Sequence, residues 1–223
     1  MVSFPSSTKF GKRIPKQKFY ENLPVTPAIK KAFTEQIKII YWRNKLAATT
    51  LNIAAGEQVA EIEVFEIQLN GPDLEENVLR LIDREIPYHI LFLLEYGGKY
   101  RAVMGYKEAA SSGKAAFKVD RYYRTDWLAE KDLPLCLEGL TLDAVYENFI
   151  RQIAGEGLSR EKNATLKESV ERQKQREQRK MRIFALEAQM KKEKQLNRKM
   201  ELKAEIRKLE REWRVESGKK CEE

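Results

Sequence analysis

Val59-Ala-Glu-Ile-Glu-Val-Phe-Glu-Ile-Gln-Leu69, residues 73–86 and Tyr88-His-Ile-Leu-Phe-Leu-Leu-Glu95 read as strand, helix and strand, and this succession decides the fold. The first segment is rich in β-branched and aromatic residues and stops at Asn70-Gly71-Pro72, a cluster that punctuates chains. From Asp73 the period becomes helical. Leu74, Val78, Leu81, Ile82 and Ile86 recur every three or four residues, Asp73 stands as N-cap with Glu76 completing a capping box, and Pro87 stops the run. Tyr88 to Glu95 is apolar at both parities, the pattern of a strand covered on both faces in mid-sheet. Gly97-Gly98 supplies the positive-φ pair of a two-residue hairpin into Tyr100-Arg-Ala-Val-Met-Gly-Tyr106.

The opening strand contains a conflict. Under strict alternation Ile62 and Val64 share a face with Glu66 and Gln68, while Glu61 and Glu63 share the other with Phe65, Ile67 and Leu69. A bulge at Val64-Phe65 restores one apolar face; without it, carboxylates sit beside apolar side chains.

Toward the N-terminus, residues 4–20 form an irregular, proline-punctuated arm in which Lys9, Lys12, Arg13, Lys16 and Lys18 interleave with Phe10, Phe19 and Tyr20. The simpler reading pins the arm to the core through Ile14, Phe19 and Tyr20 and leaves the lysines solvated. The same pattern suits phosphates and stacked bases, so Lys12, Arg13, Lys16 and Lys18 are candidate nucleic-acid contacts. Thr26-Pro27 opens a helix whose stripe is Ile29, Phe33, Ile37 and Ile40, and Thr49-Thr-Leu-Asn-Ile53 reads as a short strand. Beyond the hairpin come a small-residue loop at 109–116, a strand at 117–123, a short strand at 134–137, and a helix over 140–153 capped by Thr141 and closed by Gly155 and Gly157.

From Leu158 to Trp213 there is no proline and one would have to go back to Gly157 for a glycine, which predicts a single helix of roughly 80 Å. Its second half carries Ile183, Leu186, Met190, Leu202, Ile206, Leu209 and Trp213 at three-four spacing, a seam interrupted at Gln195, Asn197 and Lys199. Leu186, Met190, Leu202, Ile206, Leu209 and Trp213 are therefore the candidate partner-binding residues, for another protein or a homodimer. Arg176, Arg179, Lys180 and Arg182 on the polar part are candidate DNA contacts. The formal net charge is +8, and residues 158–217 hold all of it, with 19 Lys+Arg against 11 Asp+Glu; residues 1–157 balance at 21 against 21 and the last six cancel at 2 against 2. The expected division is a basic arm (1–25), an α+β globular body (26–157), a long basic helix (158–217) and a tail (218–223). The fold class expected is α+β: a mixed or antiparallel sheet flanked by helices, then a long, coiled-coil-like C-terminal helix.

Cys136, Cys221 and one histidine make neither a disulfide framework nor a four-ligand zinc site, which points to a reducing compartment. The N-terminus has no apolar signal region and the longest apolar run, 86–94, is too short to span a bilayer, so a cytoplasmic protein without membrane contact is expected. Phosphate loop, nucleophile elbow and metalloprotease helix are missing, and no cofactor or metal is expected. His89, inside the most apolar strand, reads as a core residue. The remaining chemistry is carboxylate-based: Glu61, Glu63 and Glu66-Ile67-Gln68 with Lys45 or Lys107 are similar to the acidic groups of metal-dependent nucleases, although Gln68 stands where their lysine would be. The catalytic alternative is thus Glu63, Glu66 and Lys45, against exposed salt links on a strand, and an enzyme is the lesser reading.

Phe10-Gly-Lys-Arg-Ile-Pro-Lys-Gln-Lys-Phe-Tyr-Glu21, Ile40-Tyr-Trp-Arg-Asn-Lys-Leu46, Glu63-Val-Phe-Glu-Ile67, Ile86-Pro-Tyr-His-Ile-Leu-Phe92 and Leu142-Asp-Ala-Val-Tyr-Glu-Asn-Phe-Ile-Arg-Gln-Ile153 together resemble the bacterial family called domain of unknown function 4391. The resemblance carries no catalytic motif onto this chain. It implies genes beside helicases and DNA methyltransferases of restriction-modification or antiviral-defence clusters, and hence an accessory or adapter subunit that docks such a partner and contacts DNA through its basic helix.

Overall fold

Leu91, Phe92 and Leu93 have strands on both sides and are fully buried, so the apolar run read as a central strand is one. The computed structural model describes residues 4–21, 25–109, 117–158 and 164–216, apart from the side chains of residues 109 and 213–216. It divides into two units, Met1–Gly155 and Glu156–Glu223.

The first unit is a six-stranded mixed sheet in sequence order: β1 (Lys9–Ile14), β2 (Ile37–Ala47), β3 (Glu61–Leu69), β4 (His89–Tyr96), β5 (Lys99–Ala109) and β6 (Phe117–Arg124). Every pairing is antiparallel except β3 with β4, where α3 (Glu76–Glu85) makes the crossover that a parallel pair requires. Gly97 and Gly98, at φ 60° and 76°, form the expected tight turn between β4 and β5. One face packs on α1 (Pro27–Gln36) and α3, with Phe33, Ile37, Phe65, Ile67, Ile82 and Phe92 at its centre. The other face, carrying Ile62, Val64, Leu91 and Met104, lies under α4 (Leu142–Ala154), whose Leu142, Val145, Phe149 and Ile150 are buried.

Several local readings hold and others change. Thr26 caps α1, accepting from the Ile29 N–H, and Thr141 caps α4, accepting from that of Ala144. α1 ends at Gln36, however, and Ile37 and Ile40 belong to β2: the run Ile37-Lys-Ile-Ile-Tyr-Trp42 is β-branched and aromatic, and pairing with β3 overrides its helical spacing. Within the arm, residues 9–14 form the edge strand β1. Residues 48–51 are a helical turn, α2 (Ala48–Leu51), rather than a strand, and residues 134–137 form none. α3 starts at Glu76 without a side-chain cap; the preceding turn is held instead by Gln36, which accepts from the Glu75 N–H at 2.9 Å and donates to the Glu75 carboxylate at 3.0 Å.

Two polar ties lock this unit, the first half-buried and the second buried. Asp143, in the first turn of α4, accepts from the N–H groups of Glu57, Gln58 and Val59 at 2.7, 3.2 and 2.8 Å; a Cβ on Gly56 would stand 2.5 Å from its carboxylate, so the loop needs glycine there. Lys107 on β5 meets Asp83 on α3 at 2.9 Å and donates to the Tyr88 carbonyl, while the Tyr122 hydroxyl donates to the other Asp83 oxygen.

The second unit corrects the expectation of one continuous helix. α5 (Leu166–Lys192) opens with a capping box between Thr165 and Glu168 and stops at Lys192, and α6 (Leu196–Glu216) follows. Between them the Glu193 carboxylate accepts from the N–H groups of Lys194 and Gln195 at 2.7 and 3.0 Å, which stabilises the break. The helices fold on each other so that Leu186, Leu202 and Ile206 are buried among Ile183, Met190 and Leu209, with Arg182 paired to Glu205 at 2.9 Å. The seam expected to await a partner is thus covered from within, because folding back joins the two apolar halves that Gln195, Asn197 and Lys199 separate. The Trp213 side chain lies outside the described residues.

Replacing Lys107 by alanine strands the buried Asp83 carboxylate and is expected to cost about 3–5 kcal/mol of unfolding free energy, measured by urea denaturation followed by circular dichroism; a loss under 1 kcal/mol would show that the pair is not buried in solution.

Candidate functional site

β1 is joined to β2 by pairs that include Lys12 with Trp42 and Ile14 with Ile40, with a register shift at Gly11, whose φ of 65° suits glycine. This places Phe10 against Trp42, ring centroids 4.1 Å apart, and Trp42 stands 6.0 Å from Phe65. Together with Ile14, Pro15, Phe19, Ile86, Pro87 and Tyr88, these rings bound a cleft of about 450 Å³. Lys12, Arg13 and Lys18 line it as well and are exposed, and the Lys12 ammonium lies 4.7 Å from the centre of the Phe10 ring.

The acid in this apolar cleft is Glu63, only 1% exposed. Its place follows from register. β3 pairs with β4 without interruption from Ile62 opposite His89 to Gln68 opposite Glu95, so β3 alternates strictly. The irregularity falls on β2, where Arg43 is the extra residue between Trp42 opposite Phe65 and Asn44 opposite Val64. Glu63 therefore points inward with Phe65. Its Oε2 accepts from the Trp42 indole N–H at 2.7 Å, whereas Oε1 has no donor. Burial pushes the Glu63 carboxyl up to about 7; the Trp42 hydrogen bond and Lys45 oppose this, and the neighbouring Glu61 carboxylate adds to it. Glu61 is within hydrogen-bonding reach of Glu63, and two carboxyls bond each other only when one carries a proton. Lys45 stands 2.9 Å from Glu61 and is held above the ordinary lysine range by that hydrogen bond.

The structure brings together Lys45, Glu61 and Glu63 but sends Glu66 elsewhere. Glu66 lies three residues from Glu63 on an alternating strand, hence on the opposite face, and pairs with Arg43 at 3.1 Å, which also reaches Glu130 at 2.7 Å. The catalytic alternative of Glu63, Glu66 and Lys45 therefore does not form one cleft. Lys107 is taken by Asp83. Among the described residues no three His, Cys, Asp or Glu side chains gather in a group that could hold a metal ion. His89, 3% exposed, sits between the rings of Tyr146 and Phe117, and burial pushes it down to about 3.

Of the cations expected on nucleic acid, Lys16 is engaged inside the fold. It donates to the carbonyls of Ile37 at 2.6 Å and Thr34 at 3.1 Å, at the end of α1, and burial lowers its pKa. Lys12, Arg13 and Lys18 stay at the cleft. Arg176, Arg179, Lys180 and Arg182 lie on α5, the last bound to Glu205. Sequence reading missed the convergence of Phe10, Trp42, Phe65 and Tyr88. The only signal for it was an aromatic residue in each of several segments, which says nothing of which segments meet.

Fold and cleft define an α+β protein with a mixed six-stranded sheet, helices on both faces and a helical C-terminal unit, in which a buried carboxyl faces an aromatic, cation-rimmed cleft. The family model described as a domain of unknown function (DUF4391) matches residues 2–212 of the 223, and the chain belongs to that family. No curated protein and no solved structure matches it. Among the described residues no helix is long and apolar enough to cross a membrane.

Raising the Glu63 pKa from 4.5 to about 7 means that the folded state holds a proton the unfolded chain has released, so this group's penalty is absent below pH 4.5 and complete above about pH 7. The loss is on the order of 3 kcal/mol. His89 acts in the opposite sense, its contribution being lost as pH falls from 6.5 toward 3. Glu63→Gln should therefore be the more stable protein at pH 8, and its advantage over wild type should shrink steadily as pH is lowered to 4.5. Thermal melts of both across this range measure it, and a pH-independent difference would contradict the assignment.

Proposed function

We propose that this protein is a non-catalytic accessory subunit of a bacterial, cytoplasmic DNA-acting complex of the restriction-modification or antiviral-defence type, which docks a helicase or DNA methyltransferase and itself holds a nucleic-acid strand. The observation that carries the strand-binding part is the set of exposed cations, Lys12, Arg13 and Lys18, beside an aromatic cleft on the same edge of the sheet. Cations neutralise phosphates and ring faces stack bases, a combination that serves single strands of any sequence. The accessory role is supported by the engagement of the groups that chemistry would need: Glu66 with Arg43, Lys107 with Asp83, His89 among rings. The divergence of Glu63 and Glu66 leaves a metal-dependent nuclease with less support.

The helical hairpin carries Arg176, Arg179 and Lys180 on α5 as its own candidate DNA contacts. With Leu186, Leu202 and Ile206 turned inward, its exposed large apolar residues are Met181 and Phe184 on α5, 75% and 73% exposed, and Leu196 and Met200 on α6, 71% and 64% exposed; the pair on α5, three residues apart, suits the protein partner. A second copy of the chain is the competing occupant.

Affinity for a labelled single strand should fall steeply with salt, and the double variant Lys12→Ala, Arg13→Ala should flatten the slope of log K against log salt by about 1.4. Capture of the neighbouring helicase or methyltransferase by the full-length protein should be lost in Met181→Asp, Phe184→Asp, a change at exposed positions. Wild-type protein that neither binds a strand at low salt nor captures either enzyme would sink the reading.

A further inference from the structure

We infer that the cleft bounded by β1, β2, β3 and residues 86–88 is a base pocket selective for guanine, with the Watson–Crick edge on Glu63 and the attached phosphate on Lys12, Arg13 and Lys18. This rests on the strand-binding reading above and makes it specific.

Three features of the cleft constrain its occupant. Its walls are apolar and aromatic, with Phe10, Phe19, Trp42, Phe65 and Tyr88 as the rings, and its volume of about 450 Å³ is in the range of pockets that enclose small ligands. Its one acid is nearly wholly buried and has an oxygen with no donor from the protein. Its accessible cations are at positions 12, 13 and 18. An occupant that satisfies all three has a planar body, hydrogen-bond donors along one edge and a negative charge beyond it, which describes a nucleotide.

The choice among bases follows from what a carboxylate can do. Ionised, it only accepts. Guanine offers two adjacent donors on its Watson–Crick edge, the ring N1–H and the exocyclic amino group. Adenine and cytosine place a ring-nitrogen acceptor beside their amino group, and thymine has one N–H between two carbonyls. Oε1 of Glu63 lacks a donor, and Oε2 keeps a lone pair after accepting from Trp42, so two acceptors stand side by side. The Trp42 N–H fixes the carboxylate before a ligand arrives. In the empty cleft a proton shared with Glu61 relieves the crowding of the two acids. Guanine binding releases that proton to solvent, and the base's two donors then pair with the ionised Glu63 carboxylate, so the binding measurements are made at pH 8.

The test is fluorescence anisotropy of the full-length protein with labelled thymidine octamers carrying one central guanine or one central adenine, together with equilibrium dialysis of guanosine and adenosine monophosphates. Wild type should bind the guanine octamer roughly 5- to 150-fold tighter than the adenine octamer, the discrimination of one bidentate pair. Glu63→Gln should reverse the preference, because an amide presents one donor and one acceptor and matches adenine. Lys12→Ala should weaken both octamers alike. Equal wild-type affinities, or a preference unchanged in Glu63→Gln, overturn the pocket; octamer binding without base preference does so while leaving the strand-binding reading standing. Dialysis binding of guanosine monophosphate with no octamer bound assigns the pocket to free nucleotide and refutes the strand, and binding of neither probe refutes both.

Discussion

The structure turns on the unbroken register between β3 and β4. A parallel pair spaces its hydrogen bonds evenly, and a slip of one residue would exchange the two faces of a strand whose neighbours are both buried. With apolar layers on each side, β3 has no tolerance for such a slip: Phe65 and Ile67 must face α1 and α3, and Ile62 and Val64 must face α4. The cost of keeping that register is that Glu63 enters the apolar side. The adjustment is made next door, where β2 carries Arg43 as an additional residue and sends it with Glu66 to the opposite face.

A carboxyl held in this position is kept by specific company. The Trp42 indole supplies one donor, Glu61 and Lys45 form an ion pair alongside, and the protonation of Glu63 absorbs the rest of the burial cost. Phe10 on Trp42 closes the outer wall only because β1 pairs along β2, so the N-terminal segment is at once an edge of the sheet and a side of the cleft. Its lysines divide accordingly: Lys16 satisfies carbonyls at the end of a helix, and those on either side of it remain available to an anion.

The C-terminal unit solves a different problem. A helix with apolar residues in two patches separated by polar ones cannot present a continuous seam to a partner. Turning at Glu193–Gln195 brings the patches together, buries Leu186, Leu202 and Ile206, and leaves a surface dominated by charge. The positive excess of this region is therefore carried by a structure that buries Leu186, Leu202 and Ile206 internally and leaves Met181 and Phe184 on α5 and Leu196 and Met200 on α6 exposed.

The sequence by itself determined the elements whose signals are local. Thr26-Pro27 and Thr141 mark helix starts, Gly97-Gly98 marks a turn that needs positive φ, and the doubly apolar run at 89–94 marks a central strand. It also posed the choice at Val64-Phe65, between a bulge and a buried acid. Only tertiary structure decided that choice, because the answer depended on which neighbour could yield: β4 could not, and β2 did. The strand nature of residues 37–47, the joining of 9–14 to the sheet, the meeting of Phe10, Trp42 and Tyr88, and the folding back of α6 were settled in the same way. Each depends on pairing between segments distant in the chain, and the free energy of such contacts is not written in the period of either segment alone.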